Sequence, residues 1–136
     1  MIRYEIKRTH CVDDEKKELI SYIEYLVGLN ARFEKLGILL FEEMMNDNED
    51  TLERISIWLV MQGYNPSLCV DILSNLLSIS AESGLEYVKH ILLFETLLLL
   101  HKGYTRESEL RLYLLSFVDA HTLYEYIKRL DESARC

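Results

Sequence analysis

Apolar positions along this chain recur at intervals of three and four, the period of a helix buried on one side. Leu19, Ile20, Ile23, Leu26 and Val27 share one helical face, and Asp13 or Asp14 can cap the helix that carries them. Gly28 and Asn30 weaken that helix and predict a break before a second apolar stretch, Leu36 to Met45. The polar run Asn46-Asp47-Asn48-Glu49-Asp50 reads as a turn and N-cap, followed by a third helix with Leu52, Ile55, Leu59 and Val60 inward. Trp58 is expected in the core. Gly63 suits a helix C-terminus, and Asn65-Pro66 restarts the chain, with Asn as cap and Pro at the first helical position.

The fourth helix presents Leu68, Ile72, Leu73 and Leu76, and Ser80 to Gly84 is the next break. From about Leu85 to Lys102 a fifth helix is apolar nearly all round, which places it at the centre of the fold. Gly103 ends it, and Thr105 is the expected cap of a sixth carrying Leu110, Leu112, Leu114, Leu115, Phe117 and Val118. A last amphipathic helix runs from about His121 to Asp131. The expected architecture is all-α, a compact bundle of six to seven helices in one domain over residues 12–131. An N-terminal arm, 1–11, and a loose C-terminus, 132–136, flank it. Leu59 to Leu77 and Leu99 to Phe117 look alike, but two copies fall short of a solenoid.

Composition narrows the function classes. With 136 residues the chain can bury roughly two-thirds of its unfolded surface without a metal or disulfide staple. One Pro and five Gly leave little punctuation for a many-stranded fold. A net charge of −8 disfavours phosphate backbones and anionic lipid surfaces, so neither nucleic acid nor membrane is an expected partner. Cys11, Cys69 and Cys136 are far apart and form no CxxC, which fits free thiols in a reducing, cytoplasmic compartment. The longest apolar run, Ile91 to Leu100, is interrupted by Glu95 and Thr96 and is about half a membrane span.

The search for chemistry yields no catalytic set, no metal site and no cofactor. Glu86 and His90 are four apart on one helical face, but the Glu-x-x-His spacing of carboxylate-bridged metal pairs does not occur. His10-Cys11 lies in the expected arm, and Glu42-Glu43 reads as a solvated face. There is no phosphate loop, no Gly-x-Ser-x-Gly and no His-Glu-x-x-His. Glu95 is a carboxyl inside an apolar helix and requires a partner or a gap between helices. Its expected role is structural, fixing helix register. The nine tyrosines suit the edge of a core or an interface.

Several segments, in order, resemble the cytoplasmic parts of the flagellar motor stator protein MotA family. Gly37-Ile38-Leu39-Leu40-Phe41-Glu42-Glu43 resembles that family's helix with a Gly followed five residues later by a Glu. Leu59 to Pro66, with Ile72-Leu73, resembles its apolar helix ending in Gly-x-x-Pro. Glu95, Gly103 and Leu110 to Phe117 resemble its C-terminal tail. The resemblance covers about residues 31–118 and omits the family's four membrane spans, so ion conduction is not implied. It implies structural roles for Gly37, Gly63, Pro66, Glu95 and Gly103. It also implies a non-enzymatic contact with another protein, such as a flagellar rotor or motor component. Arg32, Glu34, Lys35, Glu42 and Glu43 would make that contact; Glu42 takes the family's acidic position, and Glu34 stands at its basic one between Arg32 and Lys35. The alternatives are a structural homo-oligomer or adaptor unrelated to motility, and a ligand binder or enzyme with Glu95, His90 and a Tyr converging on a cavity.

Overall fold

The computed structural model describes residues 13–80, 84–103 and 106–134. These form seven α-helices and no strand: α1 (Asp13–Leu36), α2 (Ile38–Asp47), α3 (Thr51–Met61), α4 (Pro66–Ile79), α5 (Gly84–His101), α6 (Glu107–Leu115) and α7 (Ala120–Ala134). The all-α bundle expected from the periodicity is the observed architecture. The arm with His10 and Cys11 lies outside the described residues, as do Thr105 and Cys136.

Helix α5 is the axis of the bundle and packs against α3, α1 and α6. From Ile91 to Leu98 every residue is buried, because an apolar stripe on all sides leaves no face that prefers water. Helix α4 lies on α3, and α7 rests on α6. Ion pairs join these elements at the surface: Lys89 to Glu18 (2.8 Å), Arg111 to both carboxylate oxygens of Glu24 (2.8 and 2.9 Å), and Lys16 to Asp119 (2.9 Å). Among the described residues no helix is long and apolar enough to cross a membrane.

Several boundaries differ from the expected ones. Helix α1 runs straight through Gly28 and Asn30 and stops only at Leu36, so Asp13 and Asp14 are its first helical positions and not its cap. Burial of Leu26, Val27 and Leu29 on both sides of Gly28 outweighs the roughly 1 kcal/mol that a helical glycine costs. The break falls at Gly37, whose φ of 57° lies in the region that side chains avoid. As expected, α3 ends near Gly63 and α5 near Gly103, both at positive φ. Asn65 caps α4 by accepting from the Ser67 N–H (2.8 Å), with Pro66 at the first helical position.

Trp58 is not in the core. It is 43 % exposed and meets the Tyr64 ring at a tilt, 5.8 Å between centroids, because Ser56, Ile57, Leu59 and Val60 occupy the inward phase of α3. Leu68 is likewise exposed, with Cys69, Val70, Leu73 and Leu77 taking the inner face of α4. The N-cap of α6 is Arg106 and not Thr105. Helix α7 continues to Ala134, so residues 132–134, expected to be loose, are helical.

Candidate functional site

Two places in the fold gather side chains with chemical potential. The first is the elbow between α1 and α2. The residues expected to touch a partner do not share one helix, since the break lies at Gly37: Arg32, Glu34 and Lys35 end α1, while Glu42 and Glu43 lie on α2. All five are exposed. Phe33 stacks on Phe41 beneath the bend at 5.4 Å between ring centroids, and Arg32 Nη2 donates to Glu43 Oε2 above it (2.7 Å). The Gly37 N–H donates to the Phe33 carbonyl (2.7 Å), and the Leu40 N–H donates to that of Gly37 (3.1 Å). The elbow is thus closed by backbone, ring stack and ion pair together.

Immediately after the bend, Ile38 and Leu39 stand in water at 45 % and 53 % exposure. Leu39, Glu42 and Glu43 follow the three-and-four spacing of one helical face, so an aliphatic pair is bordered by acidic groups on α2 and by mixed charge at the end of α1. Further round the molecule a groove lined by Met45, Glu49, Thr51, Arg54, Ile55 and Trp58 adds apolar surface.

The second place is built around His90. Its imidazole is buried at 4 % exposure on α5 and faces the start of α3. His90 Nε2 stands 3.4 Å from Asp50 Oδ1 and 3.9 Å from Glu53 Oε1. Asp50 caps α3: its Oδ1 accepts from the Glu53 N–H (2.9 Å), which places a carboxylate where the helix leaves its amide donors unpaired. Asn48 orients both acids, since its Oδ1 accepts from the Asp50 N–H (3.0 Å) and its Nδ2 donates to Glu53 Oε2. Tyr22 forms a further wall. Burial pushes its phenol well above the usual tyrosine range, and the negative charge of Glu53, with Tyr25, Glu86 and Asp50, adds to that shift. Its ring carries the Lys89 ammonium at 5.4 Å.

The sequence placed His90 with Glu86, whereas the fold gives it Asp50 and Glu53 from a distant helix start. The Asp50-x-x-Glu53 spacing after a polar turn is the legible trace, because such a pair at a helix start aims both carboxyls the same way. Glu95 finds its partner elsewhere: the Tyr113 hydroxyl on α6 donates to Glu95 Oε2 (2.9 Å). His90 and Glu95 thus meet different neighbours, the start of α3 and the Tyr113 hydroxyl on α6. Cys69 is a buried free thiol, raised above the ordinary thiol range by burial. Compared with protein-family models, curated proteins and solved structures, the chain matches none.

Proposed function

We propose that this protein is a non-enzymatic interaction module that binds another protein through the α1–α2 elbow, in the cytoplasm. The observation that carries the reading is the pair of exposed aliphatics, Ile38 and Leu39, framed by Arg32, Glu34, Lys35, Glu42 and Glu43. An apolar centre inside a polar rim is the ordinary anatomy of a protein contact. The rigid elbow presents this patch without an ordering cost on binding. Because Arg32 and Glu43 already pair with each other, Glu42 carries the acidic signal on α2, and a basic patch on the partner is its complement. The resemblance of residues 31–118 to the MotA cytoplasmic parts adds a candidate setting, a flagellar rotor or a related machine.

Exposed charge pairs contribute only about 0–1 kcal/mol each, so affinity comes from Leu39 and Ile38 while the charges set orientation and on-rate. Leu39 is the place for a photo-crosslinking residue in cells. A single specific adduct is expected there and none from a crosslinker at exposed Lys17 on the same protein. With the adduct's partner purified, the double reversal Glu42→Lys/Glu43→Lys should weaken binding about 10-fold, equivalent to about 1.4 kcal/mol. Unchanged affinity would remove the elbow as the contact.

A further inference from the structure

The His90 cluster has a geometry that the protein-binding reading does not use. Two carboxylates and an imidazole converge from two helices, with His90 Nε2, Asp50 and Glu53 donor atoms all within 4.8 Å of one another. A proton shared between an imidazolium and a carboxylate draws nitrogen and oxygen to about 2.7–2.9 Å. Here the shorter of the two separations is 3.4 Å. Ligands about 2.1 Å from a tetrahedral ion stand about 3.4 Å from each other. With the second separation at 3.9 Å, the three groups leave room for one ion among them.

We propose that Asp50, Glu53 and His90 bind one divalent transition-metal ion of the zinc class. The donor set supports that class: a single imidazole favours zinc or its neighbours over magnesium and calcium, which take oxygen alone. Two carboxylates and a neutral imidazole balance the charge of a divalent ion. The outer partners are in place as well. Asn48 holds Glu53 through Oε2, leaving Oε1 toward His90, and the α3 amide at Glu53 holds Asp50. Such second contacts orient ligands and raise metal affinity. Entry is from the Asp50 side, where Asp50 lines a groove shared with Ile55, Leu76 and Ile79. Three protein ligands leave a coordination position open on that side for water or for a donor group of a second molecule.

The test is equilibrium titration of the metal-stripped full chain with Zn²⁺ against a chromophoric chelator. Cys11→Ser/Cys136→Ser is the background, so that those thiols do not compete. One equivalent should bind saturably, with magnesium at large excess failing to compete. Asp50→Asn, which preserves the helix cap, and Glu53→Gln should each lower the affinity at least about 10-fold, the loss caused even by removing an outer partner of a ligand. Co²⁺ in the same site should give the intense visible bands of a four- or five-coordinate ion. On the unmutated chain, the His90 imidazole nitrogen resonances should move on adding Zn²⁺. Absence of saturable binding overturns the proposal. So does binding that survives both carboxamide variants, or a His90 ring that Zn²⁺ leaves unmoved and doubly protonated. The readouts do not involve the elbow, so this inference and the proposed protein contact stand or fall separately.

Discussion

His90 and Glu95 lie on the same helix, both almost completely buried, at 4 % and 2 % exposure. Each is a polar group that an apolar helix should not carry without a partner. Their surroundings solve the same problem in opposite ways. Glu95 sits between Phe94 and Thr96 and meets a neutral hydroxyl, Tyr113 Oη, across the α5–α6 contact. His90 meets two carboxylates at the rim of the bundle, one of them nearly half exposed. Burial alone therefore does not distinguish a structural polar residue from one with chemical potential. The two differ in the partner: Glu95 meets a neutral donor in the interior, while His90 faces clustered acids beside an open groove, the setting the proposed ion requires.

The largest test of that contrast is Tyr113→Phe. It removes only the hydroxyl and leaves Glu95 short of a donor in the core, at an expected cost of about 1–3 kcal/mol in chemical denaturation. Glu95→Gln keeps an acceptor of the same shape and should cost less. If Tyr113→Phe unfolds at the same denaturant concentration as the unmutated chain, the hydroxyl does not hold α6 on α5.

The matching test at the other end of α5 is smaller. Asp50→Ala removes the α3 cap and should cost about 0.5–2 kcal/mol, whereas Asp50→Asn caps equally well and should stay within a few tenths. An equally large loss with Asn would mean that the Asp50 charge stabilises the fold directly, through His90. The site would then be an ion pair belonging to the core, and the contrast with Glu95 would shrink.

These two polar residues also mark what the sequence made legible. The unbroken apolar run over Ile91 to Leu100 identifies the central helix, because no arrangement of it in water leaves a comfortable face. Gly63, Gly103 and the Asn65-Pro66 cap are local signals that act where expected, whereas the first break, expected at Gly28 and Asn30, falls at Gly37. Glu95 announces the need for a partner but not its identity, since Tyr113 is supplied by the packing of α6. Gly28 misleads because local propensity, worth about 1 kcal/mol, is overridden by burial of its neighbours. Trp58 misleads because hydrophobicity does not set helical phase, and four residues around it already point inward. The His90 cluster is the least legible feature: it depends on the start of α3 meeting α5, a contact that no spacing within either helix encodes.

The smallest expected effect concerns a third arrangement, a carboxylate at a helix start with a lysine and no histidine. Asp119 Oδ1 accepts from the Thr122 N–H (2.7 Å) at the beginning of α7, and Lys16 pairs with its Oδ2 at 2.9 Å. The Lys16 ammonium, followed by the Thr122 hydrogen bonds, holds this carboxyl far below the usual aspartate range. The folded protein thus releases the proton more readily than the unfolded chain does. The stabilisation is complete above the ordinary aspartate pKa of about 4 and is lost progressively as pH falls below it. With both side chains partly exposed, the pair is worth about 0–1 kcal/mol and should weaken in salt. Asp119→Asn keeps the cap but removes the titration. Denaturation of the two proteins side by side should therefore show the unmutated chain more stable at pH 7 and the gap closing toward pH 3, since the other carboxyls titrate in both and cancel. A gap that stays constant with pH would show that Asp119 acts only as a cap. The α1–α7 ion pair would then contribute nothing, and the packing of α7 on α6 would carry the difference.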